Sequence, residues 1–275
     1  MIDEFTEEGV RRALAEDIGT GDVTSQACVP AEQRAAGYFL AREPLVLAGT
    51  ELLPLIYELR GGVEEFTLLR NDGDHVLEGD LIATVTGSAR TLLECERVAL
   101  NYLQRLCGIA SLARHYASLV EGTNCKVLDT RKTTPGLRVL EKAAAKAGGI
   151  TNHRIGLYDA ILIKNNHIAA AGGVKQALTN AAPSGLPIEI EVRTADEMEE
   201  ALASGATHLL LDNLSPQQAE EWIRHIDGRA TVELSGGVNL DSVRLYAETG
   251  ADYVSVGAIT HSARAMDLSF RLRLL

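Results

Sequence analysis

The chain has 275 residues, 46% of them apolar and 23% charged, ordinary proportions for a globular protein with a sizeable core. No apolar run approaches the roughly 20 residues of a membrane helix, and the N-terminus MIDEFTEEGV is acidic where a signal peptide would be basic and then apolar. A net charge of −12 argues against nucleic acid or an anionic membrane as the main partner, and four scattered cysteines without a CxxC pair read as reduced thiols of a cytoplasmic protein.

The first hundred residues suggest strands and tight turns. Segments 39–49 (FLAREPLVLAG) and 75–87 (HVLEGDLIATVTG) carry strand-forming residues, with turn residues in NDGD (71–74) and at Glu78-Gly79. Residues 89–122 are strongly helical with an expected interruption at Gly108, where a domain boundary is placed. Beyond it a βα rhythm sets in. Apolar runs recur at KVLD (126–129), AILIK (160–164), IEIEV (188–192), HLLLD (208–212), TVEL (231–234) and YVSVG (253–257), with helical patterns between them. Near-continuous apolar strands alternating with helices imply a parallel sheet covered on both faces. Six such units fit an α/β barrel short of the usual eight, with a doubly wound open sheet as the alternative. The tail MDLSFRLRLL (266–275) alternates apolar and polar residues, the period of a half-buried strand, and is expected to rejoin the N-terminal sheet. The domains are therefore 1–108 with 266–275, and 109–265.

Each of the six strands ends in, or leads at once to, polar residues or glycine. They are Asp129, Arg131 and Lys132; Lys164; Glu191; Asp212 and Asn213; Ser235, Gly236 and Gly237; Gly257 and His261. In a parallel barrel these ends share one mouth, where active sites lie.

Charge is concentrated as well. Residues 131–167 hold seven Lys/Arg against two acids, a local balance of +5 in an acidic chain. Lys142 and Lys146 read as helix-surface lysines. The others read better as an anion cradle than as a solvated loop. Thr134 and Pro135 suit the cap and first residue of a helix that stops at Gly148-Gly149, so Arg131 and Lys132 are expected at a helix N-terminus, where an anion is favoured. His153 and Arg154 follow that stop; the arginine fork suits a carboxylate. Lys164 closes an apolar strand, and His167 either joins the cradle or caps a turn. Glu191 and Asp212 suit ribose hydroxyls, a magnesium ion or a cationic transition state, or else balance the nearby cations. Glu189 shares a strand face with Glu191, and Glu233 is a similar, weaker case. The Ser235-Gly236-Gly237 loop, expected just before a helix, and Gly257 with His261 suit the phosphate site that barrels build on their last strands. A phosphorylated sugar joined to a small anionic acceptor fits this division.

Several strings together resemble the quinolinate phosphoribosyltransferase family over essentially the whole length: EDIGTGDVT (16–24), ERVALNYLQRLCGIA (96–110), DTRKTTPGLR (129–138), NHRIGLYDAILIKNNH (152–167), IEIEV, LLLDN, LSGGV and YVSVGAITHS. The resemblance implies an N-terminal α/β sandwich plus an incomplete α/β barrel. It also implies transfer of phosphoribosyl from phosphoribosyl pyrophosphate to quinolinate with loss of CO2 and with Mg²⁺. By motif, Arg131, His153 and Arg154 would hold the quinolinate carboxylates, and Lys132 and Lys164 would lie at the junction with pyrophosphate. Glu191 and Asp212 would face the ribose and its metal, and Ser235, Gly236, Gly257 and His261 would cradle the 5′-phosphate. Arg105 would reach the partner subunit's site in a homodimer. Cys107 and Asn165 depart from the family's usual Ser and Asp. A paralogue linked to molybdenum use is the nearest rival, but it usually lacks the intact DTRKTTPG and KxNH segments that are present here. A non-catalytic anion-binding barrel would be expected to lack Glu191 or Asp212, and both are present.

Overall fold

The structure, a computed structural model, describes residues 2–275. In chain order the elements are α1 (Glu4–Ile18), α2 (Val23–Cys28), β1 (Arg34–Ala41), β2 (Leu45–Val46), α3 (Leu52–Leu59), β3 (Glu65–Leu68), β4 (His75–Val76), β5 (Leu81–Ser88) and α4 (Ala89–Leu119). They continue with β6 (Lys126–Leu128), α5 (Arg138–Ala147), β7 (Ile161–Ile163), α6 (Asn165–Ala171), α7 (Val174–Ala181), β8 (Ile188–Val192), α8 (Ala195–Ala203) and β9 (His208–Asp212). The last are α9 (Pro216–Ile226), β10 (Thr231–Ser235), α10 (Val243–Ala247), β11 (Tyr253–Ser255), α11 (Ala258–His261) and β12 (Leu268–Leu274). Contacts divide the chain into two compact units. One comprises residues 2–114, 134–149 and 262–275, and the other 115–133 and 150–261.

The first unit is built on an antiparallel sheet of order β12-β1-β5-β3. The tail does rejoin this sheet. β12 pairs antiparallel with β1, and Phe39 lies opposite Phe270 with ring centroids 4.8 Å apart, the kind of cross-strand pair that fixes register. β3 and the helices α1 to α3 were not evident in the sequence pattern. The expected break at Gly108 is absent, and α4 runs unbroken for 31 residues. A Cβ there would sit 1.9 Å from the Arg264 carbonyl oxygen, so the glycine serves close approach and not helix termination.

The expected helix start at Thr134-Pro135 is also corrected. α5 begins at Arg138, and residues 134–137 form a turn closed by Leu137 N–H to Thr134 O at 3.0 Å. Gly136 has φ of +81°, so Pro-Gly makes a type II turn that a helix cannot pass through. Arg131 and Lys132 therefore belong to a loop and not to a helix N-terminus. Lys142, expected on the surface, is buried.

The second unit carries a six-stranded parallel sheet of order β6-β11-β10-β9-β8-β7. The order runs monotonically round, without the reversal that defines a doubly wound sheet, which leaves the incomplete barrel. The first two strands in sequence, β6 and β7, lie at its two edges, and the gap beside β6 is touched by one isolated bridge, Leu128 to Thr151. Period-two alternation then sorts the side chains. Ile190, Val192, Leu209, Leu211, Val232, Leu234 and Val254 are almost wholly buried, each worth roughly 1.5–3 kcal/mol of apolar burial. The alternate positions face the barrel interior. Helices cover the sheet as the pattern requires; α9, for example, starts with a reciprocal Ser215–Gln218 capping box followed by Pro216. Among the described residues, no helix is long and apolar enough to cross a membrane.

Candidate active site

The interior alternates converge on a cavity of about 760 Å³ at the strands' C-terminal ends. Its lining includes Arg131, Lys132, His153, Arg154, Lys164, Glu191, Asp212, Ser235, Gly236, Gly237, Gly257 and His261. Each follows from strand parity: Leu162 and Lys164 on and after β7, Glu191 and Arg193 on and after β8, Leu210 and Asp212 on β9, Glu233 and Ser235 on β10. Of the two roles open to His167 the structure shows the cap: it caps α6 by accepting the Lys164 N–H on Nδ1 at 2.9 Å. Arg105, expected in a partner subunit's site, belongs to the first unit. Its Nε and one terminal nitrogen donate to Glu141 Oε1 at 3.1 and 2.9 Å, and its other terminal nitrogen to the Ala263 carbonyl at 2.9 Å. Glu141 is fully buried, and its other oxygen accepts the Thr134 N–H at 3.0 Å.

The cationic side is anchored from beneath. Asp129, fully buried after β6, accepts His153 N–H at 2.8 Å and Asn152 Nδ2 at 2.6 Å, which clips the Asn152-His153-Arg154 segment to that strand. Arg154 donates to the Ala160 carbonyl at 3.0 Å. Burial, and then the charge of Arg131, makes its protonated form less favourable than usual, as expected of two cations placed together for an anion to join. Thr260 Oγ1 donates to the Lys132 carbonyl at 2.7 Å, and a Cβ on Gly257 would lie 2.9 Å from Lys132 Cδ. The loop lysine, the last strand's glycine and His261 thus meet at one corner.

Glu191, 4% exposed, accepts Arg193 at 2.8 Å on one oxygen and faces Lys164 Nζ at 3.4 Å with the other. Arg193, which sequence reasoning passed over, was findable as the residue two places after Glu191 on an inward-facing parity. Asp212 accepts Ser235 Oγ at 2.6 Å and Asn213 Nδ2 at 2.7 Å. Gly236 has φ of +99°, and a side chain there would strike Asn213 Oδ1 at 2.3 Å, so only glycine lets this loop present its backbone. The helix expected directly after the loop begins only at Val243, so the loop itself and not a helix end lines the cavity.

Below these groups His153 Nε2 lies 3.2 Å from Glu189 Oε2 and 3.3 Å from Glu233 Oε2. Burial opposes charge on this ring, but the hydrogen bonds to Glu189 and Glu233 outweigh it and push the His153 pKa up to about 10 from an ordinary 6.5. Burial pushes the Glu233 carboxyl above the usual carboxylate range. His153, Glu189 and Glu233 are the one group of three among the described residues whose potential metal-ligand atoms lie within 4.8 Å of one another. Mg²⁺ prefers oxygen ligands and keeps several waters. Asp212 fits such an ion through water or a substrate hydroxyl, whereas both Glu191 oxygens already face cations.

Cys107 is buried against the Ala48 backbone, its sulfur 3.4 Å from Ala48 N, and burial pushes its thiol pKa up to about 12. Asn165 lines the cavity beside Lys164.

Comparison with known proteins is consistent along the chain. The family described as quinolinate phosphoribosyl transferase matches through its N-terminal domain over residues 22–107 and its C-terminal domain over 109–271. The chain is 42% identical over 271 residues to a nicotinate-nucleotide pyrophosphorylase (carboxylating) of Mycobacterium leprae, covering 96% of this chain and 95% of the relative. It is 40% identical over 262 residues to a probable enzyme of the same name from Bacillus subtilis, covering 94% and 90%. NadC from Streptococcus pyogenes superposes with a TM-score of 0.94 at 40% identity, covering 100% of this chain and 99% of that one. The nicotinate-nucleotide pyrophosphorylase from Francisella tularensis gives 0.95 at 36% identity, covering 99% and 98%.

Proposed function

The chain belongs to the quinolinate phosphoribosyltransferase family, and from that membership we infer how its cavity divides the work of the reaction. The enzyme transfers the phosphoribosyl group of phosphoribosyl pyrophosphate to the ring nitrogen of quinolinate. It releases pyrophosphate and CO2 and yields nicotinate mononucleotide in de novo NAD biosynthesis.

Charge is the first problem. Quinolinate carries two adjacent carboxylates and its co-substrate a diphosphate. Each like-charge pair about 4 Å apart costs roughly 4 kcal/mol at an effective dielectric near 20. The observation that carries the assignment is that Arg131, Lys132, Arg154 and Lys164 line one cavity with Glu191, Asp212 and the Ser235-Gly236-Gly237 loop. Arg131 and Arg154 hold the quinolinate carboxylates. Lys132 and Lys164 stand between them and the leaving pyrophosphate. The glycine loop, Gly257 and His261 take the 5′-phosphate. As the glycosidic bond to pyrophosphate breaks, positive charge grows on the ribose, and Glu191 and Asp212 stabilise it. No covalent nucleophile is required. Once the ring nitrogen is quaternary, its positive charge stabilises the electron pair left on the adjacent carbon when CO2 departs, and that carbon then takes a proton from water.

Asp212 would hold a Mg²⁺ ion through water or ribose hydroxyls, and the ion would supply charge neutralisation to the leaving diphosphate. The working form is a homodimer in which Arg105, braced by Glu141 and the Ala263 carbonyl, reaches the other subunit's cavity. The four unpaired cysteines support a reducing compartment, and we assign the cytoplasm.

The test is an assay with quinolinate, phosphoribosyl pyrophosphate and Mg²⁺, following pyrophosphate and nicotinate mononucleotide. Turnover is expected, and its absence at millimolar substrate would overturn the assignment.

A further inference from the structure

Glu191 meets a cation on each side, Arg193 on one oxygen and Lys164 on the other. One negative charge between two positive ones leaves a surplus positive charge on the cavity wall. Either cation can leave with the buried carboxylate still paired, so the cost of stranding it is avoided.

The two pairs are not equivalent. Arg193 Nε and Nη2 both donate to the single oxygen Glu191 Oε1, at 3.1 and 2.8 Å. A guanidinium matches an anion best when its parallel N–H groups meet two separate oxygens, and this pairing lacks that match. The remaining terminal nitrogen of Arg193 donates to no group among the described residues.

Residue 193 is anchored by its backbone and loose in its side chain. It follows β8 directly, and its N–H donates to Glu197 Oε2 at 2.8 Å, while Thr194 caps α8 by accepting the Glu197 N–H at 3.1 Å. The side chain is 49% exposed and lines the substrate cavity, so it can pivot there while its Cα stays in place. Glu191 has a task that the present pairing obstructs. With a cation on both oxygens it stabilises positive charge on a ribose less than it would with one oxygen free.

We propose that Arg193 is a donor-binding residue: when phosphoribosyl pyrophosphate enters, the guanidinium leaves Glu191 for two oxygens of the diphosphate, and the oxygen it releases turns to the ribose. This rests on the reading that the cavity takes phosphoribosyl pyrophosphate. Lys164 stays on the other oxygen and keeps Glu191 paired.

The experiment uses the full-length enzyme with Arg193→Ala and Arg193→Lys, and takes pyrophosphate with Mg²⁺ as a probe that needs no turnover. Calorimetric titration should show pyrophosphate binding weakened about tenfold or more in Arg193→Ala, on the order of one charge-assisted hydrogen bond. The KM for phosphoribosyl pyrophosphate should rise by a similar factor, and that for quinolinate should stay within about twofold. Arg193→Lys keeps the charge and loses the fork, so its losses should fall between. Arg193→Ala enzyme that melts cooperatively and binds pyrophosphate as wild type does would overturn the proposal. A lower kcat beside that unchanged binding is what a mere brace of Glu191 predicts. Equal rises in both KM values, the signature of general damage, would overturn it as well. Should Arg193→Ala fail to fold, Arg193→Lys decides: a loss of about threefold or more in pyrophosphate affinity supports the role, and wild-type affinity overturns it. Wild-type enzyme is the control: absent turnover there defeats the functional assignment, whereas this inference falls on the comparison of variant with wild type.

Discussion

Arg131 and Arg154 sit side by side with an electrostatic cost that an anion relieves, and this makes their removal informative. Arg131→Ala should weaken quinolinate binding by about 100-fold or more, since a bidentate charge-assisted contact is worth roughly 3 kcal/mol, while the melting temperature stays near wild type. Titration of quinolinate against the variant checks this, and unchanged affinity would mean that the cradle has been misplaced. Cys107 supplies the opposite case. Its thiol hydrogen-bonds the Ala48 backbone, and a serine hydroxyl there could make the same bonds. Cys107→Ser should leave kcat and both KM values as they are and shift stability by less than about 1 kcal/mol in urea unfolding. A kinetic effect would show that the family departure at this position reaches the active site.

At the scale of elements, two glycines set geometry that composition alone misassigned. Gly108 lies mid-helix in α4 where the Arg264 carbonyl passes. A methyl group at 1.9 Å from a backbone oxygen cannot be absorbed by a rotamer change. Gly108→Ala should therefore destabilise by about 2 kcal/mol or more, read as a lower urea midpoint with an unchanged slope. Gly136 closes the Pro-Gly turn ahead of α5. In the sequence Gly108 looked like a helix break and Gly136 lay inside an expected helix, because a glycine needed for space and one needed for left-handed φ are written with the same letter.

At the scale of the molecule, the discontinuous first unit is tied at its return by Glu43, which accepts Arg264 and the Asp267 N–H. The hydrogen bond from Arg264 leads in holding the Glu43 pKa down to about 2 from an ordinary 4.5. A depressed carboxylate contributes stability that is fully present above its unfolded value and lost as pH falls toward its folded value. Wild type should therefore lose stability between about pH 4.5 and 2 more steeply than Glu43→Gln, and parallel acid-unfolding curves would refute the role. The proposed dimer has its own test. Inactive Arg105→Ala and Lys164→Ala subunits, mixed and reassembled, should regain about a quarter of wild-type activity, since half the dimers then hold one complete site. No recovery would place Arg105 outside the partner's chemistry.

The sequence by itself determined the six parallel strands, the returning tail and the inventory of the cavity, because each rests on a local period. Alternation every second residue sends Lys164, Glu191, Asp212 and Ser235 inward and their neighbours into the apolar layer, whatever the rest of the chain does. It also carried the family motifs. Tertiary structure alone decided which of these groups spend their hydrogen bonds on each other. Arg193 and Lys164 share Glu191, Asp129 holds the Asn152-His153 segment, and His153, Glu189 and Glu233 close on one another across three separate segments. Such pairings depend on strand order and on where a barrel is left open. The cation cluster at 131–167 was therefore legible as charge, while the His167 cap and the bonding of His153 to Glu189 and Glu233 were not.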